Sequence, residues 1–177
     1  MKKESDMSKM SDGMITFLDE NEIHEMITEL AHKINRDYAN RELVLICPLK
    51  GSFLFMADLM RKLTMAVEVD FVHVTSPKGQ SVRIIKDVEI DLTGKDVLIV
   101  EEIIDAGRTL SFLKRRLLSS DARSVKIVTL LDKPARRELP IKPDYSGKTI
   151  DDRFVVGYGM DSEEVGRNYK KIYNLAQ

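Results

Sequence analysis

One stretch limits what this chain can become more than any other: residues 96–118. Val97, Leu98, Ile99 and Val100 form an unbroken aliphatic run, as in a strand buried on both faces. Leu110, Leu113 and Leu117 then recur at helical spacing, so an amphipathic helix follows. A buried strand feeding a helix is a unit of an open α/β sheet, and such sheets bind ligands at the carboxyl ends of their strands. The turn between the two is expected to hold Glu101, Glu102, Asp105, Ala106 and Gly107. Its free N–H groups and the positive end of the helix dipole suit a phosphate. Gly107 lets the backbone approach an anion, and Thr109 adds a hydroxyl. The spacing is not that of a Walker A loop.

Carboxylates beside a phosphate cradle need a second ligand feature. Glu101 and Glu102 suit the hydroxyls of a ribose diol, or a hard cation such as Mg2+. Asp105 is open to two readings. It is the N-cap of the helix, with the glutamates as solvated strand-end residues, or it is a proton acceptor.

The rest of the chain repeats the pattern. An apolar stripe of Ile23, Met26, Ile27, Leu30, Ala31 and Ile34 predicts a helix over 20–38. A short buried strand spans 43–47, and Pro48 is expected to end it. Lys50, Gly51 and Ser52 then turn into a helix over 53–63. This second turn is a candidate anion site or an ordinary loop with an exposed lysine. Strands follow over 66–74 and 82–88, with a loop at 75–81. A further strand spans 124–131, an irregular segment 139–147, and a last strand 153–158. The tail to Gln177 packs back as a strand or short helix, and residues 1–13 read as a loose tail. Strands alternating with helices imply a largely parallel sheet in one domain over 14–177.

The run from Val97 through Glu101, Glu102, Ile103, Ile104, Asp105, Ala106, Gly107, Arg108 and Thr109 resembles the phosphoribosyl diphosphate (PRPP) signature of the type I phosphoribosyltransferases. It is similar above all to that of the hypoxanthine-guanine phosphoribosyltransferases. The family usually reads Glu-Asp-Ile-Ile-Asp-Thr-Gly, so Glu102 and Ala106 are departures. The resemblance implies an α/β fold with a mostly parallel central sheet flanked by helices, a small hood from parts of both termini, and a mobile flap. It implies transfer of the phosphoribosyl group from PRPP to a 6-oxopurine, giving a nucleoside monophosphate and pyrophosphate, with Mg2+ as cofactor.

By the same resemblance, Glu101 and Glu102 hold the ribose diol. Asp105, Ala106, Gly107, Arg108 and Thr109 cradle the 5-phosphate, and Asp105 is the general base. Lys50 and Gly51, after a cis Leu49–Lys50 peptide, join Arg167 on pyrophosphate. Lys133 reaches the 6-oxo group of the purine, Phe154 stacks on its ring, and Val155 offers backbone groups to its edge. Asp161 lies near the base and, with Glu101 and Glu102, near the metal. Taken singly, Lys133, Phe154, Asp161 and Arg167 read as ordinary surface, core or turn residues.

Two departures carry expectations. Glu102 keeps the charge of the usual aspartate but reaches one methylene further, which shifts diol or metal geometry and raises KM for PRPP. Ala106 lacks the usual hydroxyl and weakens phosphate binding. The flap lacks the family's Ser-Tyr pair; Thr75 and Ser76 are the nearest residues, so its closure is expected to be weaker or differently made.

Composition narrows the alternatives. Hydrophobic residues make up 43% and charged residues 32% of 177, enough for one substantial core. The net charge of −1 argues against a nucleic-acid surface as the main role. Cys47 is the only cysteine, so no intrachain disulfide forms, and it reads as a buried, inert thiol. His24 and His32 have no metal-ligand spacing, and His73 reads as structural. No apolar run reaches membrane-spanning length and the first residues lack a signal-peptide core. These features imply a cytoplasmic protein without membrane or nucleic-acid partners, and a homodimer or homotetramer is expected. The rivals are a PRPP-sensing RNA-binding regulator on the same fold, and a transferase for another base such as xanthine.

Overall fold

The computed structural model describes residues 13–75 and 82–175. At its centre is the strand that the 96–118 stretch announces, β5 (Asp96–Ile104). It pairs in parallel with β2 (Leu43–Leu49) on one side and β6 (Ser124–Asp132) on the other. Beyond β2 lies β3 (Val67–Thr75), parallel, and then β4 (Arg83–Lys86), antiparallel. Beyond β6 lies β7 (Tyr145–Thr149), parallel. The six-stranded order is β4-β3-β2-β5-β6-β7.

Alternation along the central strands divides the interior in two, because successive side chains point to opposite faces. Leu43, Leu45, Cys47, Leu98, Val100, Val128 and Leu130 face one core. That core is closed by α1 (Glu20–Asp37) and α2 (Phe53–Met60). Val44, Ile46, Val97, Ile99, Val125 and Ile127 face the other. There α3 (Arg108–Leu118) packs with Leu110, Leu113 and Leu117. The buried stripe of α1 is Ile23, Ile27, Leu30, Ala31 and Ile34, and Asp19 with Glu22 forms a capping box at its start.

A second, three-stranded sheet comes from both ends of the described chain. Here β1 (Met14–Leu18) pairs antiparallel with β9 (Ile172–Leu175), and β8 (Val155–Val156) flanks β9. The expected tail lies outside the described residues apart from Gly13. Residues 76–81, most of the expected 75–81 loop, lie outside them too.

Several expectations need correction. Pro48 lies inside β2 rather than ending it, opposite Val72 of β3. Pairing with β5 has already stopped at Ile46–Ile99, so the missing proline N–H costs that neighbour no rung. β5 runs on to Ile104, which places Glu101 and Glu102 in the strand, not in the turn. The stretch expected to be irregular contributes β7, an edge strand. Gly147 is required there, since a side chain would meet the Leu130 carbonyl at 2.7 Å. The tail resolves into a strand, β9.

The amino end of β5 is anchored by charge. Asp96 is buried, with Arg123 Nη2 at 2.6 Å and the Ser124 hydroxyl at 2.6 Å. Arg123 foremost holds its acidity at about 2, and Ser124 and Arg41 add to this against the opposing effect of burial. A carboxylate depressed in this way stabilises the fold above its unfolded value, and the gain is lost as pH falls towards the folded value. Asp96→Asn is expected to cost about 2 kcal/mol near neutral pH. In urea melts the gap between variant and parent should close as pH falls from about 4 to about 2.

Candidate active site

The carboxyl ends of β2, β3 and β5 meet at a cleft of about 460 Å³. Its lining includes Pro48, Leu49, Glu101, Asp105 and the turn through Ala106, Gly107, Arg108 and Thr109. The turn takes its shape from Gly107, the N-cap of α3, at φ +80°. A side chain there would also meet Ile141 Cγ2 at 2.5 Å. Asp105 therefore does not cap α3. Its Oδ1 accepts from Arg136 Nε at 3.0 Å. The Arg108 side chain is paired with Glu138, so its backbone is the part left facing the turn. The first N–H groups of α3 lack intrahelical acceptors and open towards the cleft end of the helix.

The two glutamates are not equivalent. Glu101 has a buried Oε2 without a hydrogen-bond partner. Burial, then the Glu102 charge, pushes its pKa well above the ordinary carboxylate range. Glu102 instead receives the Ser52 hydroxyl on Oε2, and its N–H donates to Ser52 Oγ at 3.3 Å. Cys47 lies on the neighbouring strand, fully buried, with its thiol pushed up to about 12 mainly by burial. It is inert, as expected.

The Leu49–Lys50 peptide is cis, as the resemblance implies. Lys50 Nζ lies 2.9 Å from Glu164 Oε2, and Arg167 Nη2 lies 3.5 Å from the same oxygen. Arg167 also binds Asp161 Oδ1 at 2.8 Å, and the Glu164 N–H donates to Asp161 Oδ2 at 2.8 Å. Gly159 packs directly against the Gly51 carbonyl. Lys50, Gly51, Asp161 and Arg167, far apart in sequence, thus form one cluster with Glu164 as its bridge. Lys50 foremost draws the Glu164 pKa down.

The residues expected to read a base sit on the adjoining wall. Lys133 is buried at the end of β6, its N–H bonded to the Ile104 carbonyl at 3.0 Å. Phe154 is 45% exposed and Val155 is buried in β8. Phe154, Val155, Lys133 and Asp161 do not line the 460 Å³ cleft itself. Arg136 connects the two parts, reaching Asp105 at 3.0 Å and Asp152 at 3.5 Å. A second hollow, of about 600 Å³, lies between α1, α2 and the Asn168, Tyr169 and Lys170 segment and contains none of these predicted site residues.

Sequence reasoning missed Arg136, Arg137 and Glu164, and it placed Ser52 in the second turn without its contact to Glu102. Arg137 matters most. Its Nη1 donates to the carbonyls of Ile104 at 2.8 Å, Lys133 at 3.3 Å and Asp105. Its Nη2 pairs with Asp132, and its Nε donates to the Ile141 carbonyl at 3.1 Å. The available signal was the basic run after Lys133 and Pro134, just beyond the carboxyl end of a buried strand. Among the described residues, no three His, Cys, Asp or Glu side chains converge as a ready-made metal cage. No described helix is long and apolar enough to cross a membrane.

The phosphoribosyl transferase domain description matches residues 16–163. A hypoxanthine-guanine phosphoribosyltransferase of Staphylococcus aureus is 42% identical over 163 residues, covering 89% of this chain and 91% of that protein. A crystal structure of a Staphylococcus aureus hypoxanthine phosphoribosyltransferase superposes with a TM-score of 0.91 at 40% identity, over 94% of this chain and 93% of the other. The bifunctional protein TilS/HprT of Listeria innocua is 42% identical over 170 residues, 93% of this chain. The chain spans about a quarter of the length of that relative, 26%. A parallel sheet with a cleft at its carboxyl edge and these matches make the chain a member of the phosphoribosyltransferase family. Within it, the chain belongs with the hypoxanthine-guanine phosphoribosyltransferases.

Arg137→Lys keeps the charge but loses the fork that bonds several groups at once. The substitution is expected to cost about 3 kcal/mol, since it strands part of a buried ion pair. Chemical denaturation checks this; a loss within error of zero would show that the carbonyls do not need the guanidinium.

Proposed function

We propose that the chain transfers the 5-phosphoribosyl group of PRPP to a 6-oxopurine, hypoxanthine or guanine, in purine salvage. The observation that carries this reading is the cleft where the cis 49–50 peptide, Glu101 and the 105–109 turn meet. A sugar diphosphate has three parts that such a cleft matches. Its 5-phosphate would sit on the turn amides of Ala106, Gly107, Arg108 and Thr109. Its diol would face Glu101 and Glu102. Its diphosphate would take Lys50, Gly51 and Arg167 in exchange for the Glu164 carboxylate.

The purine would lie over Phe154, whose exposure leaves a ring face open. The buried Lys133 ammonium would donate to the 6-oxo group and disfavour a 6-amino group, itself a donor. Val155 would offer its backbone to the base edge. As the bond from the anomeric carbon to the diphosphate breaks, the ribose becomes cationic, and the bond to the purine forms. The neighbouring carboxylates favour that cation. Asp105, oriented by Arg136, would accept the proton from purine N7.

Mg2+ fits the residues present. The unpartnered, buried Oε2 of Glu101 calls for a cation, with Glu102 as its neighbour; Asp161 is held instead by Arg167 and the Glu164 N–H. Mg2+ commonly takes one or two carboxylates plus substrate oxygens and water rather than a complete protein cage. When bound, it would supply neutralisation of the diphosphate charge. A cytoplasmic setting and a homodimer or homotetramer belong to the same reading.

The direct test follows pyrophosphate release from PRPP and Mg2+ with hypoxanthine, guanine, xanthine and adenine. Turnover with the first two supports the reading; none with any base defeats it. Asp105→Asn should retain PRPP affinity while kcat falls by about 10²–10⁴. Parental turnover in that variant would remove Asp105 from the base role. Ala106→Thr adds a hydroxyl to the cradle and should tighten PRPP binding about three- to tenfold, the worth of one hydrogen bond. Calorimetry reads the difference, and unchanged affinity would mean the hydroxyl finds no phosphate.

A further inference from the structure

The acidic doublet and the pyrophosphate loop touch each other in a way the assigned roles do not use. Ser52 is fully buried and occupies the N-cap position of α2, yet its hydroxyl makes no capping bond. It donates to Glu102 Oε2 and accepts from the Glu102 N–H at 3.3 Å. The Glu102 carboxylate also lies across the α-carbon of Gly51, in space that any side chain at 51 would need. Gly159 closes on the Gly51 carbonyl. The two peptides of the loop are therefore held between the end of β5 and the 157–160 turn.

We propose that Glu102 is a positioning residue that braces the 49–52 loop through Ser52. Its extra methylene, relative to the family's usual aspartate, carries the carboxylate to that hydroxyl. The doublet then divides its work. Glu101 lines the cleft and keeps a buried oxygen without a partner. Glu102 sets the loop whose Lys50 and Gly51 meet the diphosphate. A loop fixed before binding spares the ordering cost otherwise charged against affinity. The longer side chain therefore raises affinity for PRPP rather than lowering it, reversing the expectation from residue type alone.

The inference rests on the proposed transferase reading, and the experiment separates the two. Parent, Glu102→Asp, Ser52→Ala and the double variant are compared by calorimetry with inorganic pyrophosphate and with PRPP, both with Mg2+. Steady-state KM is measured for PRPP and hypoxanthine. Each single variant should weaken pyrophosphate and PRPP binding about three- to tenfold, as for one lost hydrogen bond. KM for the base should stay near parental. The double variant should bind no more weakly than either single, because both remove one interaction. Glu102→Asp keeps the charge and the buried serine, so it carries the test even where Ser52→Ala fails to fold. Unchanged or tighter binding in Glu102→Asp, or additive losses, would overturn the brace. A parent that neither binds PRPP nor releases pyrophosphate would overturn the transferase reading instead.

Discussion

The site depends on one guanidinium. β5 and β6 end side by side, and their last carbonyls can each accept more than the one backbone N–H they receive. Arg137 gathers the carbonyls of Ile104, Asp105 and Lys133 and pairs with Asp132. Lysine has one compact charged head; arginine has a flat fork of donors suited to several acceptors at once. The glycine turn of the cleft begins at Asp105, and Lys133 follows directly on β6. Both start from backbone that Arg137 holds. The distance between the two halves of the site is thus set by a side chain that need touch neither substrate.

Charge is distributed over the site in a consistent way. Negative groups cluster where a sugar and cation would lie, and one of them is left without a partner. Positive groups flank the cis-peptide loop and hold the chain's own carboxylate in the meantime. Arg136 sets Asp105 in place from the far side of the turn. None of these pairs alone carries much stability at the surface. Their effect is geometric: each fixes a group whose direction matters to the chemistry.

How much of this was legible in the sequence follows from the kind of signal involved. The 97–100 run and the α1 stripe were readable because burial on a regular period leaves its mark residue by residue. The phosphate turn was readable because a glycine with positive φ ties composition to backbone. β7 was not, because a short edge strand with polar, half-exposed positions shows no alternation. β1 was not, because its partner lies at the other end of the chain. Pro48 misled because a proline usually stops a strand, and only the register shows that this one sits past its neighbour's last rung. Arg136, Arg137, Ser52 and Glu164 act through contacts between distant segments, and residue type alone says nothing of these.

The hood has a consequence for how the protein is completed. Leu175 donates its N–H to the Phe154 carbonyl at 3.0 Å, and β9 also pairs with Met14 and its neighbours. The strand that steadies β8 therefore pairs with one far back in the sequence. Closing so long a loop is entropically slow, though its cost grows only logarithmically with length. The 105–109 turn thus follows from a strand and helix adjacent in sequence, whereas the sheet that carries Val155 waits for β1 and β9 to meet.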